Sequence, residues 1–158
     1  MNDDLKLSQN QPVWDLPAPF ILDLTVDASV IDHYGHVNNA AYVSWLQDAS
    51  WAHSNSIGLA IDQYRELNRA MVVHRHEINY LAPAFSQDQL QIATWVVMLE
   101  NKLTLTRQFQ IFRLEDQRCI LRANTKFVCV ELSSGKPRRM PELFIKGYSQ
   151  LLVNNYSD

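Results

Sequence analysis

The sequence predicts an α+β domain in which an antiparallel sheet of about five strands wraps around one long helix. Three observations carry this. Between residues 39 and 57, Tyr42, Trp45, Leu46, Ala49 and Ala52 follow the i, i+3, i+4, i+7 spacing of a buried helix face. Beyond residue 70, segment after segment alternates with period two and is rich in β-branched and aromatic residues. The joints Glu100-Asn101-Lys102 and Glu115-Asp116-Gln117 are short and polar, as hairpins require.

In chain order, residues 20–26 alternate loosely and form a first strand, followed by a loop that contains Asp32. The long helix starts at an Asn38 or Asn39 N-cap and stops at Gly58, a residue suited to the left-handed C′ position. Trp51 lies off the apolar stripe, roughly opposite Tyr42, which gives the helix a second contact face toward the sheet or a partner subunit. Residues 61–67 fit a short second helix. The next strand, 71–80, places Val72, His74, His76, Ile78 and Tyr80 on one face and Arg75, Glu77 and Asn79 on the other. Leu90, Ile92, Val96 and Met98 share a face in the following strand, as do Leu103, Leu105, Phe109 and Ile111 in the one after. Cys119, Leu121, Ala123, Phe127 and Cys129 do so in the last, and a terminal helix begins at Pro141. The four strands are expected in antiparallel succession. Residues 1–18 are expected as a flexible N-terminal tail with Trp14 tacked onto the body, 19–152 as a single domain, and 153–158 as a C-terminal tail.

Composition narrows the function classes. The chain has 158 residues, 47% of them hydrophobic and 20% charged, ordinary values for a soluble domain with a real core. A net charge of −3 argues against nucleic acid as a partner. No apolar run approaches a membrane span, and the polar, acidic start lacks the basic and apolar regions of a signal peptide. A cytoplasmic location is therefore expected. Cys119 and Cys129, alike in strand parity, read as buried inert thiols rather than a disulfide framework.

The most informative stretch is Asp32-His33-Tyr34-Gly35-His36-Val37-Asn38-Asn39-Ala40-Ala41-Tyr42. It sets one carboxylate, a turn glycine and a histidine directly before the long helix. A helix start leaves backbone N–H groups without internal partners and carries partial positive charge. A carboxylate facing such donors across a small gap can attack a carbonyl, or activate water to do so, while the donors hold the carbonyl oxygen. That is the geometry of acyl transfer to water.

The same stretch resembles the D-x-x-G-H-V-N-N-x-x-Y segment of hotdog-fold acyl thioesterases of the 4-hydroxybenzoyl-CoA thioesterase type. Ala82-Pro83 after Ile78-Asn79-Tyr80, with Gln87-Asp88 opening the next strand, is similar to that family's Y-L-x-P-x-x-x-x-D passage. Gly135-Lys136-Pro137-Arg138 with Met140-Pro141-Glu142 is similar to its exit turn and final helix start, so the resemblance runs from about residue 20 to residue 148. It implies a hotdog fold, a homodimer or homotetramer, no metal and no organic cofactor, and an acyl-CoA or acyl-carrier-protein thioester as substrate. Asp32 takes the place of the catalytic carboxylate, as nucleophile or general base, and the Asn39 backbone N–H that of the oxyanion donor. Gly35, Val37, Asn38, Tyr42, Trp45 and Leu46 would line or support the substrate site, and Lys136, Arg138 and Arg139 would hold the phosphates of coenzyme A. His36 matches a catalytic histidine of plant acyl-ACP thioesterases, but Tyr34 stands where those enzymes have an asparagine, so His36 is expected to orient rather than catalyse. Where family members carry a glutamate on the helix this chain has Gln47, followed by Asp48, a reserve carboxylate.

Other constellations are weaker. His74 and His76 invite a metal, yet no third and fourth ligand is evident. Arg75 and Arg107 are lesser phosphate candidates. The chain has neither a Walker nor a Rossmann glycine pattern, and no G-x-S-x-G elbow. Two rivals remain at this level: a hydratase or dehydratase that pairs His36 with Asp48, and a non-catalytic protein that binds acyl thioesters.

Overall fold

A computed structural model describes residues 11–153. Its elements run β1 (Phe20–Thr25), a single 3-10 turn (Ala28–Val30), α1 (Asn39–Ser56), α2 (Ile61–Glu66), β2 (Arg69–Tyr80), β3 (Gln89–Glu100), β4 (Thr104–Arg113), β5 (Arg118–Glu131) and α3 (Glu142–Leu151). The strands form one sheet in the order β1-β3-β4-β5-β2, antiparallel at every pairing. The expected plain succession holds only for β3, β4 and β5. The chain crosses from β2 at one edge to β3 near the other, and residues 81–88 carry it past the start of α1, where Ala84 bonds to Val37 and Tyr42.

Helix α1 lies across the inner face of the sheet. Tyr42, Trp45, Leu46 and Ala49 are buried against Ile92, Phe109, Ile111 and Leu121. A second cluster joins Leu59 and Tyr64 to Leu105, Cys129, Phe144 and Tyr148, and Trp51 packs edge-on to Tyr64 at 5.2 Å. The second contact face of α1 thus meets α2 of its own chain. The helix starts at an Asn38 cap, whose side-chain oxygen accepts from the Ala41 N–H at 2.9 Å, and ends at Gly58 with φ of +82°.

The outer face is covered as well. Trp14 stands edge-on to Phe112 at 4.9 Å and to Trp95 at 6.2 Å. The Asp15 N–H donates to Gln110, the Trp95 indole donates to Pro17, and Asp15 pairs with Arg122 at 2.8 Å. Residues 14–18, expected within a tail, are therefore packed on the sheet, and Trp95 and Gln110 are buried beneath them. Residues 1–10 and 154–158 lie outside the described residues.

Three irregularities correct the expected strand faces. In β2 the register shifts between Val73 and Arg75, so His74 leaves the pairing. Met71 and Val73 face inward before it and His76 after it, while Val72 turns away with Val128. The alternation that put His74 beside His76 is broken at His74 itself. In β3 the shift between Val96 and Met98 brings Leu99 inward against Leu105 and leaves Met98 48% exposed. In β5 Ile120 is the extra residue, so Cys119 pairs with Phe112 on the outer face while Cys129 stays on the inner one. The two thiols sit on opposite faces, with Cys129 alone fully buried. Each extra residue inverts the parity of everything beyond it.

Candidate active site

The Asp32 loop is closed at its base by an antiparallel bridge between Ile31 and Val37. Inside it, the Asp32 carboxylate oxygen Oδ1 accepts from the Tyr34 N–H at 2.9 Å and the His36 N–H at 3.3 Å. The Asp32 N–H donates to the His36 carbonyl at 2.7 Å, and Gly35 closes the turn with φ of +80°, a conformation glycine adopts without strain. The side chain is thus oriented by its own loop through one oxygen. The other, Oδ2, has no hydrogen bond among the described residues.

The loop delivers the chain to α1 in a fixed way. Asn38 donates through Nδ2 and through its backbone to the Val30 carbonyl, and its Oδ1 caps the Ala41 N–H. The Val37 N–H is taken by the Ala84 carbonyl at 2.9 Å. Among the described residues, the N–H groups of Asn39 and Ala40 donate to nothing in the chain, and both residues are exposed. One capped N–H beside two free ones leaves an anion-accepting helix start intact. The His36 ring stands edge-on to Phe85 at 5.3 Å, a packing role, and Tyr34 is 87% exposed.

Tyr42 and Trp45 are core residues rather than cavity wall. The Tyr42 hydroxyl accepts from the buried Ala84 N–H at 3.2 Å, its ring meets Trp45 and Tyr80 edge-on, and burial pushes its pKa up. Leu46 does line a cavity. This space, of about 240 Å³, opens between the outer side of α1 and strands β2, β4 and β5, with Gln47, Trp51, Val73, Phe109 and Phe127 in its walls. Asp32, Gly35, His36 and Asn38 are not among its lining residues; Val43, one turn past Asn39, is its nearest wall on the helix. Asp48 points to solvent.

The cavity has a polar end that the sequence pattern did not mark out. Arg107, only 2% exposed, shares the inner face of β4 with Leu105 and Phe109. Its Nη1 donates to His53 Nδ1 at 2.8 Å, and its Nη2 to the Ser54 hydroxyl at 3.0 Å and the Ser50 carbonyl at 3.4 Å. The Tyr148 ring lies under the guanidinium, and the Tyr148 and Tyr64 hydroxyls bond to each other. Burial, with Arg107 adding repulsion, holds His53 down at about 4, and burial next to Tyr148 pushes Tyr64 up. The sequence offers Arg107 only as a lesser phosphate candidate, and the parity it shares with Leu105 and Phe109 is the signal that it lies inside.

The basic turn lies elsewhere. Arg138 ion-pairs with Glu131, Arg139 accepts from Arg69 through its carbonyl, and Lys136 is exposed. Arg69 pairs with Glu131 at one end of β2, and Tyr80, which touches Tyr42 below the Asp32 loop, ends the other. Eleven strand residues, about 36 Å, separate the turn from the Asp32 loop within one chain. Among the described residues, no three His, Cys, Asp or Glu side chains are grouped to hold a metal ion, and no helix is long and apolar enough to cross a membrane.

Residues 26–146 match a family model described as the thioesterase-like superfamily. The chain is 34% identical over 110 residues to the long-chain acyl-CoA thioesterase FadM of Escherichia coli, across 67% of this chain and 79% of that protein. It is 28% identical over 120 residues to the chloroplastic acyl-acyl carrier protein thioesterase ATL2 of Arabidopsis thaliana, across 76% of this chain and 63% of the relative. Among solved structures, a 1,4-dihydroxy-2-naphthoyl-CoA thioesterase from Synechocystis superposes with a TM-score of 0.76 at 19% identity, over 85% of this chain and 98% of that one. At that identity the likeness establishes the hotdog fold.

Proposed function

From the premise that this chain belongs to the thioesterase-like superfamily and is a thioester hydrolase, we propose that it cleaves acyl-CoA to the free acid and coenzyme A. Within the superfamily we assign it to the 4-hydroxybenzoyl-CoA thioesterase type, on its D-x-x-G-H-V-N-N-x-x-Y segment. The observation that carries the reading is the pair of unbonded N–H groups at Asn39 and Ala40, next to a loop that orients Asp32 and leaves its Oδ2 free. The Asn39 N–H polarises the thioester carbonyl. Asp32 either attacks the carbonyl carbon, giving an acyl anhydride that water then opens, or takes a proton from the attacking water. In both routes the C–S bond breaks, sulfur leaves as the thiolate and is protonated, and the acid is released. Gly35 and Asn38 shape the loop and its join to α1, Val37, Tyr42 and Trp45 support them from the core, and His36 keeps the loop seated on Phe85.

The phosphate end requires a second copy of the chain. Strand β2 is a twelve-residue sheet edge with Val72, Val73 and Tyr80 each more than a third exposed. Antiparallel pairing of two such edges reverses direction between subunits and carries the Lys136, Arg138 and Arg139 turn of one protomer toward the Asp32 loop of its partner. A homodimer therefore supplies both halves of each site.

The test is colorimetric thiol release from a panel of aryl- and fatty-acyl-CoA esters, with Asp32→Ala alongside. The variant is expected to lose about 10²-fold or more in kcat/KM while keeping the parent's melting temperature. Full activity in Asp32→Ala would remove Asp32 from the mechanism. A second reading, hydrolysis of acyl-carrier-protein thioesters, is favoured by the similarity to the Arabidopsis enzyme. Acyl-ACP in the same panel separates the two.

A further inference from the structure

The Arg107 guanidinium is a full positive charge inside the protein with no carboxylate beside it among the described residues. Its bonded neighbours are neutral: the His53 imidazole, the Ser54 hydroxyl and the Ser50 carbonyl. The residues lining the cavity include no Asp or Glu, and the ion pairs among the described residues involve other cations. Arginine does not shed its proton in proteins, and a buried charge without a counter-ion is costly. An interior cation that faces a cavity and has no counter-charge among the described residues is a binding site awaiting an anion.

The rest of the cavity is apolar where Leu46, Val73, Leu105, Phe109 and Phe127 line it. We infer that this cavity takes an acyl chain carrying a carboxylate at the end remote from the thioester, and that Arg107 is the specificity-determining residue that receives it. The inference rests on the thioesterase reading above, because it treats the free N–H groups of α1 as the reacting end. The residues that hold Arg107, Ser50 to Ser54, lie eleven to fifteen positions along α1 from Asn39, or about 17–22 Å at 1.5 Å per residue. That span calls for a long chain, with methylenes on the apolar wall and the two polar groups at its ends. A carboxylate there gains charge-assisted hydrogen bonds and supplies the missing counter-charge. A terminal hydroxyl supplies only a hydrogen bond, and a terminal methyl neither.

The experiment compares kcat/KM of the intact protein for three long-chain acyl-CoA esters of equal length, ending in methyl, hydroxyl or carboxylate. The carboxylate-ended ester is expected to lead the methyl-ended one by about tenfold or more. Arg107→Gln is expected to bring that ratio to one or below. A ratio of one or less in the unsubstituted protein overturns the inference, whether or not the variant folds. If none of the esters is hydrolysed, the thioesterase reading fails separately. Titration with a free long-chain dicarboxylic acid against the monocarboxylic acid of equal length then decides the pocket, and equal binding rejects it.

Discussion

Burial first, and a neighbouring charge second, fix the protonation of His53. His53 lies under Phe20, with ring centroids 4.8 Å apart, and accepts from Arg107 through Nδ1. It can do so only as the neutral imidazole, since the protonated ring would set two cations against each other. Its pKa is held at about 4, below its value of about 6.5 in an unfolded chain. Between those values the unfolded state binds the proton and the folded state does not, so His53 favours unfolding as pH falls. Stability from this group is complete above about 6.5 and is expected to decline from there toward pH 4. Thermal melts across that window, compared with those of His53→Gln, check the slope, which the variant should flatten. Asp32, Gly35, Asn38 and Asn39 are legible in the amino-acid motif alone, because their roles are local: a loop, a turn and a cap. The buried pairing of Arg107 with His53 is not, because it joins side chains more than fifty positions apart.

At the scale of elements, the helix start is where sequence and chemistry meet most closely. Asn38 both caps α1 and ties the loop to Val30, and the same geometry leaves the Asn39 and Ala40 N–H groups open. Asn38→Ala is expected to cost about 1 kcal/mol of stability, read by denaturant unfolding. It should cost activity beyond that, because the open donors lose their alignment. Element positions are readable because periodicity is a local property: β1, α1, α2 and α3 fall within a residue or two of where spacing puts them. Facing is not, wherever an extra residue intervenes. His74, Val97 and Ile120 carry no composition that marks a bulge, yet each is the extra residue at a register shift. Met98 and Cys119 defy the simple alternation for that reason, and so does the first half of β2. The covering of the outer face is equally hidden, since Trp14 finds Trp95 and Phe112 across eighty residues or more.

At the scale of the molecule, the Asp32 loop and the basic turn occupy opposite ends of β2, and among the described residues that strand is a sheet edge paired only to β5. A free edge of this length ordinarily invites another strand. Sedimentation velocity is expected to show a dimer, and a purely monomeric species with full thioesterase activity would exclude the proposed sharing of sites. Joining two half-sites across an edge also ties catalysis to abundance. When the protein is diluted below the dissociation constant of its edge contact, turnover per molecule should fall even though each chain keeps its fold. Below that threshold, doubling the amount of protein should more than double the rate, and a thioester-cleaving activity would be switched off simply by scarcity of its own subunits.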